Sequence, residues 1–249
     1  MKQLYFISFV LIVTLAITAC EQELVIPEHS VPQDYGITIL LSTNRVKQVG
    51  AIVELVEPTV NVYDYTHFFY EHALLRVEQT DFTPIPTDSL YLRPYRDFDF
   101  TYNYYTDSLP VYKGQTYNLF VDLGNGRTVA GNTTVPQGIE PGSVTESENY
   151  YYIHWQGPDS LSYRWNFWIN EGTTANPRWR LYISTFSGHS TYARLEKQHI
   201  PRGSQYYMYV YTYDQNYTDH VLNGVQTSGL SNSYGVFGSY CSDGFWIKF

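Results

Sequence analysis

The side chains of this chain with most to offer a ligand are aromatic. Trp168 and the alternating row Tyr207, Tyr209, Tyr211 and Tyr213 combine broad apolar faces with polar tips, which suits sugar rings or a partner protein. Residues for covalent or metal chemistry are sparse. No Gly-x-Ser-x-Gly elbow, dinucleotide fingerprint or phosphate loop occurs. His67-Phe-Phe-Tyr-Glu71-His72 approaches an inverted zinc-protease pattern, but its extra residue sets the two His about 140° apart on a helix, so they do not share a metal. Asp214-Gln-Asn216-Tyr-Thr-Asp219 offers oxygen ligands yet lacks the Gly and distal Glu of a calcium loop, and reads as a turn. Any two of the 24 acidic residues could pair for glycosidic chemistry, and the sequence gives no separation. These residues assign no catalytic group, no metal and no cofactor.

The Tyr row needs a strand beneath it. Over Tyr206–Tyr213 a period of two puts Tyr206, Met208, Val210 and Thr212 on a core face and the other four Tyr on the opposite face. Those four are then either exposed or the edge of a second packed layer. Residues 163–169 alternate likewise, with Trp165 inward and Trp168 outward. Trp155, Trp165 and Trp179 lie in alternating strands and are expected in the core. Further strands are expected near 36–41, 50–56, 150–155 and 179–186. Residues 116–123 and 127–135 flank Gly124-Asn125-Gly126 as a hairpin, since Asn and Gly tolerate positive φ. Residues 67–79 fit either a strand after a loop or a short helix. Pro136 through Gly142 holds two Pro and two Gly and is composed like a joint, placing the join near 137–143. The expected fold is all-β, with two tandem sandwich-like domains at 37–136 and 144–249.

Composition agrees. Of 249 residues 43% are hydrophobic and 18% aromatic, with 26 Tyr, which excludes global disorder and favours sheet. The formal charge of −9 leaves no basic footprint for nucleic acid. At the N-terminus, Lys2 precedes an apolar run from Leu4 to Ala19, the length of a signal-peptide core and short of a membrane span. It ends in Ile17-Thr18-Ala19-Cys20, which resembles the bacterial lipoprotein box. Residues 1–19 are then a signal peptide and 20–36 a tether, and Cys20 becomes the acylated mature N-terminus, held by chains such as palmitate. The alternatives are an ordinary secretory signal or an uncleaved anchor. Cleavage removes Lys2 and no acid, so 15 basic residues become 14 and the charge falls from −9 to −10. Cys241 is left as a single thiol without zinc-spaced neighbours, and reads as a small strand residue. Glu21-Gln22-Glu23 is either a solvated tether or similar to the signal that sends lipoproteins to the outer face of the outer membrane.

Glu71-His-Ala-Leu-Leu-Arg-Val-Glu78, Tyr112-Lys-Gly-Gln-Thr-Tyr-Asn-Leu-Phe-Val121, Asn125-Gly-Arg-Thr-Val-Ala130, Thr133-Thr-Val-Pro136 and Asn232-Ser-Tyr-Gly-Val-Phe-Gly-Ser239 occur in that order. Together with the lipoprotein box they resemble a family of Bacteroidota outer-membrane lipoproteins known as a domain of unknown function and ending in Asn-x-x-Gly-x-Phe-Gly. Residues 57–69 are richer in aromatics than that pattern. The resemblance implies an N-terminal immunoglobulin- or transthyretin-like sandwich, a C-terminal β domain and a lipid anchor, with no activity. The functional expectation is an outer-membrane lipoprotein on the extracellular face that binds without catalysis, as an accessory to a transport or adhesion assembly. Its partners would be the membrane through Cys20 and an outer-membrane transporter or a glycan. A carbohydrate-binding module, a degradative hydrolase, a structural envelope protein and a periplasmic orientation are the alternatives.

Overall fold

The computed structural model describes residues 35–54, 69–86, 96–97, 100–124, 126–200 and 205–249. Cys20, the signal peptide, His67 and Asn125 lie outside them. In chain order the strands are β1 (Tyr35–Ser42), β2 (Gln48–Glu54), β3 (Leu74–Val77), β4 (Thr80–Asp81), β5 (Thr83–Pro84), β6 (Arg96–Asp97), β7 (Phe100–Thr101), β8 (Tyr104–Thr106), β9 (Thr116–Asp122) and β10 (Thr128–Thr134). Then come β11 (Glu140–Glu146), β12 (Tyr150–Gln156), β13 (Ser162–Asn170), β14 (Trp179–Gly188), β15 (Tyr192–Glu196), β16 (Gln205–Tyr213), helix α1 (Gln215–Leu222), β17 (Thr227–Ser228) and β18 (Tyr234–Ile247).

The protein is an all-β sandwich. Its largest sheet runs β14-β13-β16-β18-β1-β2-β8-β5, with β17 beside β18. Two smaller sheets, β10-β9-β3-β4 and β11-β12-β15, each close a core against it. The first core joins Ile37, Ile39, Ile52, Leu75, Tyr117 and Val121 to Phe237 and Cys241. The second joins Trp155, Trp165, Phe167, Leu195, Met208 and Val210 to Ile247. Phe237, Cys241 and Ile247 are all odd-numbered positions of β18, so both small sheets cover the same face of the large one.

The two halves expected from sequence therefore have separate cores and a shared sheet. The physical reason is β18, long enough to serve both. Its first half pairs in parallel with β1, from Gly36↔Tyr234 to Ser42↔Tyr240. Its second half pairs antiparallel with β16, from Tyr213↔Tyr240 to Tyr206↔Ile247. Gly235 sits in this seam at φ +109°, where a Cβ would come within 2.8 Å of the Ile37 carbonyl carbon.

Several expected elements differ in detail. β1 takes up Tyr35 and Gly36 from the tether, because their pairing with Glu54 and Val53 of β2 extends the ladder. The joint at 137–143 runs into β11, whose bulge between Pro141 and Val144 accommodates its Pro and Gly. The ambiguous segment 67–79 contains strand β3. The hairpin forms as β9 and β10, with Asp122 opposite Thr128.

The acidic segment after Tyr213 starts a helix instead of a turn. Asp214 is its N-cap and accepts the Tyr217 N–H at 2.9 Å. Its carboxylate also accepts from the Thr133 hydroxyl, and its own N–H donates to the Ser239 carbonyl at 2.9 Å. One buried side chain thus ties β10, α1 and β18 together. Burial pushes the Asp214 carboxyl up to about 6, against the opposing pull of hydrogen bonds from Thr133, Tyr217 and Ser239. The folded state then binds more protons than the unfolded chain between pH about 4 and about 6, so this group's contribution to stability falls as pH rises through that window. Asp214→Asn keeps a capping oxygen and cannot titrate. Urea unfolding at pH 4, 5, 6 and 7 should show wild type losing stability relative to Asp214→Asn by the order of 2–3 kcal/mol, complete by pH 7. Parallel curves would refute this role for Asp214.

Candidate functional site: an aromatic recess

The face of the large sheet turned away from both cores is covered at one end and open at the other. At the covered end Leu40, Tyr213 and Tyr240 form a small cluster with Phe186, Tyr211 and Tyr217 against it. Tyr217 of α1 stacks on Tyr213, with ring centroids 4.5 Å apart and 20° between planes. At the open end Trp168, Trp179, Tyr207, Tyr209 and Trp246 line a recess of about 480 Å³, within the size range of small-molecule sites.

Four strands build this recess, β14 by supplying Trp179 and the other three by placing side chains in register. Trp168 of β13 lies opposite Tyr207 of β16, and Tyr207 lies opposite Trp246 of β18. One row across the sheet is thus Trp, Tyr, Trp. The next contains Asn166, Tyr209 and Gly244. Gly244 matters because it has no side chain. A Cβ there would come within 2.7 Å of the Tyr207 ring carbons Cε1 and Cζ, so the Tyr207 ring occupies space that only Gly leaves free.

The rings meet edge to face. Tyr207 and Trp246 have centroids 4.9 Å apart at 77°, and Tyr207 and Tyr209 4.9 Å apart at 67°. Trp179 completes the corner, 5.6 Å from Trp246 at 50° and 6.4 Å from Tyr207 at 69°. Such contacts satisfy the ring quadrupoles and hold the walls in place. Burial and the adjoining Tyr209 hydroxyl raise the Tyr207 pKa further above neutrality, where a phenol is already protonated and able to donate. Trp246 is 56% exposed, Trp179 39% and Tyr209 38%, so these three form the rim.

The structure distributes the five sequence-selected residues unevenly. Trp168, Tyr207 and Tyr209 line the recess. Tyr213 does not, being 2% exposed under Tyr217, Phe186 and Tyr240. Tyr211 is half-buried against Tyr240, and its hydroxyl accepts from the Asn166 amide at 3.3 Å. The expectation of one flat Tyr row is corrected accordingly, because α1 folds over one end of it. Trp155 and Trp165 are in the core, as their strands imply. Trp179 is corrected from core to rim. It belongs to edge strand β14, where pairing with Asn170 and a register shift between Phe167 and Trp168 break the simple alternation. Trp246 was not singled out by sequence reasoning, and its signal would have been Gly244-Phe245-Trp246-Ile247 read as a strand continuing the 232–239 motif.

Cys241 lies buried in the first core, and burial pushes its thiol up to about 12, which leaves it inert at neutral pH. Among the described residues no cluster of His, Cys, Asp or Glu is arranged to hold a metal, and no helix is long and apolar enough to cross a membrane.

No protein-family model and no curated relative matches the chain. Among solved structures it is similar to the interferon gamma receptor alpha chain of chicken at 10% identity, over 88% of this chain and 100% of that one, with a TM-score of 0.22. A superposition that loose carries no argument, so the architecture rests on the strand pairing itself.

Replacing Gly244 by Ala should displace the Tyr207 ring while leaving the ladder hydrogen bonds in place. The expected result is an unchanged far-UV spectrum, a reduced near-UV aromatic signal and a loss of about 1–3 kcal/mol in stability. An unaltered near-UV signal would show that Tyr207 does not depend on that space.

Proposed function

We propose that this chain is a lipid-anchored outer-membrane protein that captures a ligand in the aromatic recess without chemically changing it, as an accessory of a transport or adhesion assembly. The observation that carries the reading is the recess itself, five aromatic side chains drawn from four strands and, among the described residues, left uncovered on one face of the sheet. Among the described residues its lining is wholly aromatic, with no carboxylate, imidazole or thiol, and is suited to holding a ligand. The anchor is inferred from the lipoprotein-type sequence ending at Cys20.

The placement of the recess fits an anchored protein. β1 starts beside the start of β18, with Gly36 opposite Tyr234 and the two strands parallel. Trp246 lies twelve residues further along β18 than Tyr234, at most about 40 Å away at the usual rise per residue. The chain thus enters the sheet at one end of β18 and carries the recess at the other.

Protease shaving of intact cells tests the location. Wild type should lose its full-length band, and Cys20→Ala should be mislocalised and escape shaving. Resistance of wild type until the outer membrane is broken would place the domains in the periplasm and refute surface capture.

A further inference from the structure

The recess has the geometry of a box. Its walls meet at 50–77°, so neighbouring π faces converge on a small volume instead of forming one plane. A sugar stacks best on a flat ring and brings hydroxyls that need partners around its rim. Five aromatic side chains supply π faces and little else, with the Tyr hydroxyls and indole N–H groups as their only polar atoms. The lining therefore favours a compact group that needs no directional hydrogen bonds.

Charge narrows the choice further. Elsewhere the chain's own cations stand over its aromatic rings: Lys47 over Tyr105 at 4.5 Å, Lys197 over Tyr151 at 4.9 Å and Arg194 over Tyr150 at 5.0 Å. Among the described residues no Lys or Arg is placed over any of the five recess rings. The ring faces that no neighbouring ring's edge meets are left to a ligand, in a chain whose net charge of −9 attracts cations.

We propose that the recess takes a trimethylammonium group, presented by a choline-type metabolite or by a phosphocholine headgroup. The inference rests on the capture reading and names its ligand class. A methylated ammonium has no N–H to satisfy, spreads its charge over a convex apolar surface, and gains most from several ring faces at once, with Trp the strongest partner. Trp246, Trp179 and Tyr207 would make the closest walls.

The test is isothermal titration of the lipidated full chain, in a polyoxyethylene detergent, with choline, glycine betaine, glycerophosphocholine and 3,3-dimethyl-1-butanol, the uncharged isostere of choline. Choline-type ligands should bind saturably, the isostere about tenfold more weakly or worse, and Trp246→Ala should weaken choline about tenfold. Trp246 is largely exposed, so its removal should leave the far-UV spectrum unchanged. Tighter binding of glycerophosphocholine would point to a lipid headgroup, and tighter binding of choline or betaine to a free metabolite. Equal binding of the isostere would overturn the proposal in favour of a plain apolar pocket. Binding of a neutral oligosaccharide that Trp246→Ala abolishes, with no heat from choline, would overturn it and leave the capture reading standing. No binding by any of these probes would sink the trimethylammonium proposal, and failure of whole-cell glycan and protein pull-downs to depend on Trp246 would sink capture as well.

Discussion

The double pairing of β18 is the constraint on which everything else depends. A strand of this length has two edges and two faces to satisfy, and in this fold its two halves pair with different strands while each face serves two clusters. One edge of its first half meets β1 in parallel, and its second half meets β16 antiparallel. One face contributes Phe237 and Cys241 to the first core and Ile247 to the second. The opposite face carries Tyr240 under the aromatic cluster beside α1 and Trp246 in the recess. Neither sandwich can close without it. The first core must therefore wait for residues almost two hundred positions downstream of β1, a long-range contact of the kind that slows folding.

The same strand explains why the recess is open where it is. Helix α1, capped by Asp214, lies across one end of the outer face, and Gly238 allows it close, since a Cβ there would meet the Tyr217 Cβ at 3.0 Å. The eight-residue helix ends at Leu222, and beyond its cover β16 and β18 continue with their outward aromatics uncapped. Cover and recess are thus two consequences of one short helix on a longer sheet.

Much of this was legible in the residues. The hairpin was, because Gly124 and Gly126 take the positive φ values that a tight connection between β9 and β10 needs and that few residues other than Gly tolerate. So were β13 and β16, where strict alternation of large apolar and polar side chains leaves little choice of face. Three of the recess residues followed from that alternation. Trp246 did not, because β18 is interrupted by Gly235, Gly238 and Gly244 and by Ser242 and Asp243, so its pattern is weak and its strand character comes from partners distant in sequence. Trp179 was misplaced because a bulge in an edge strand shifts parity, which no periodicity argument detects. The burial of Tyr213 depended on a helix whose local signal, Asp214 before a polar run, is the same as that of a turn.

The parallel alignment of β1 with β18 also has a mechanical meaning. Opposed forces applied at Tyr35 and near Trp246 would act along the strand axes. The bonds from Gly36↔Tyr234 to Ser42↔Tyr240 are then loaded together in shear, and separation requires them to rupture as a set instead of opening one after another like a zip. The seam therefore resists tension along its own axis better than it resists peeling across it.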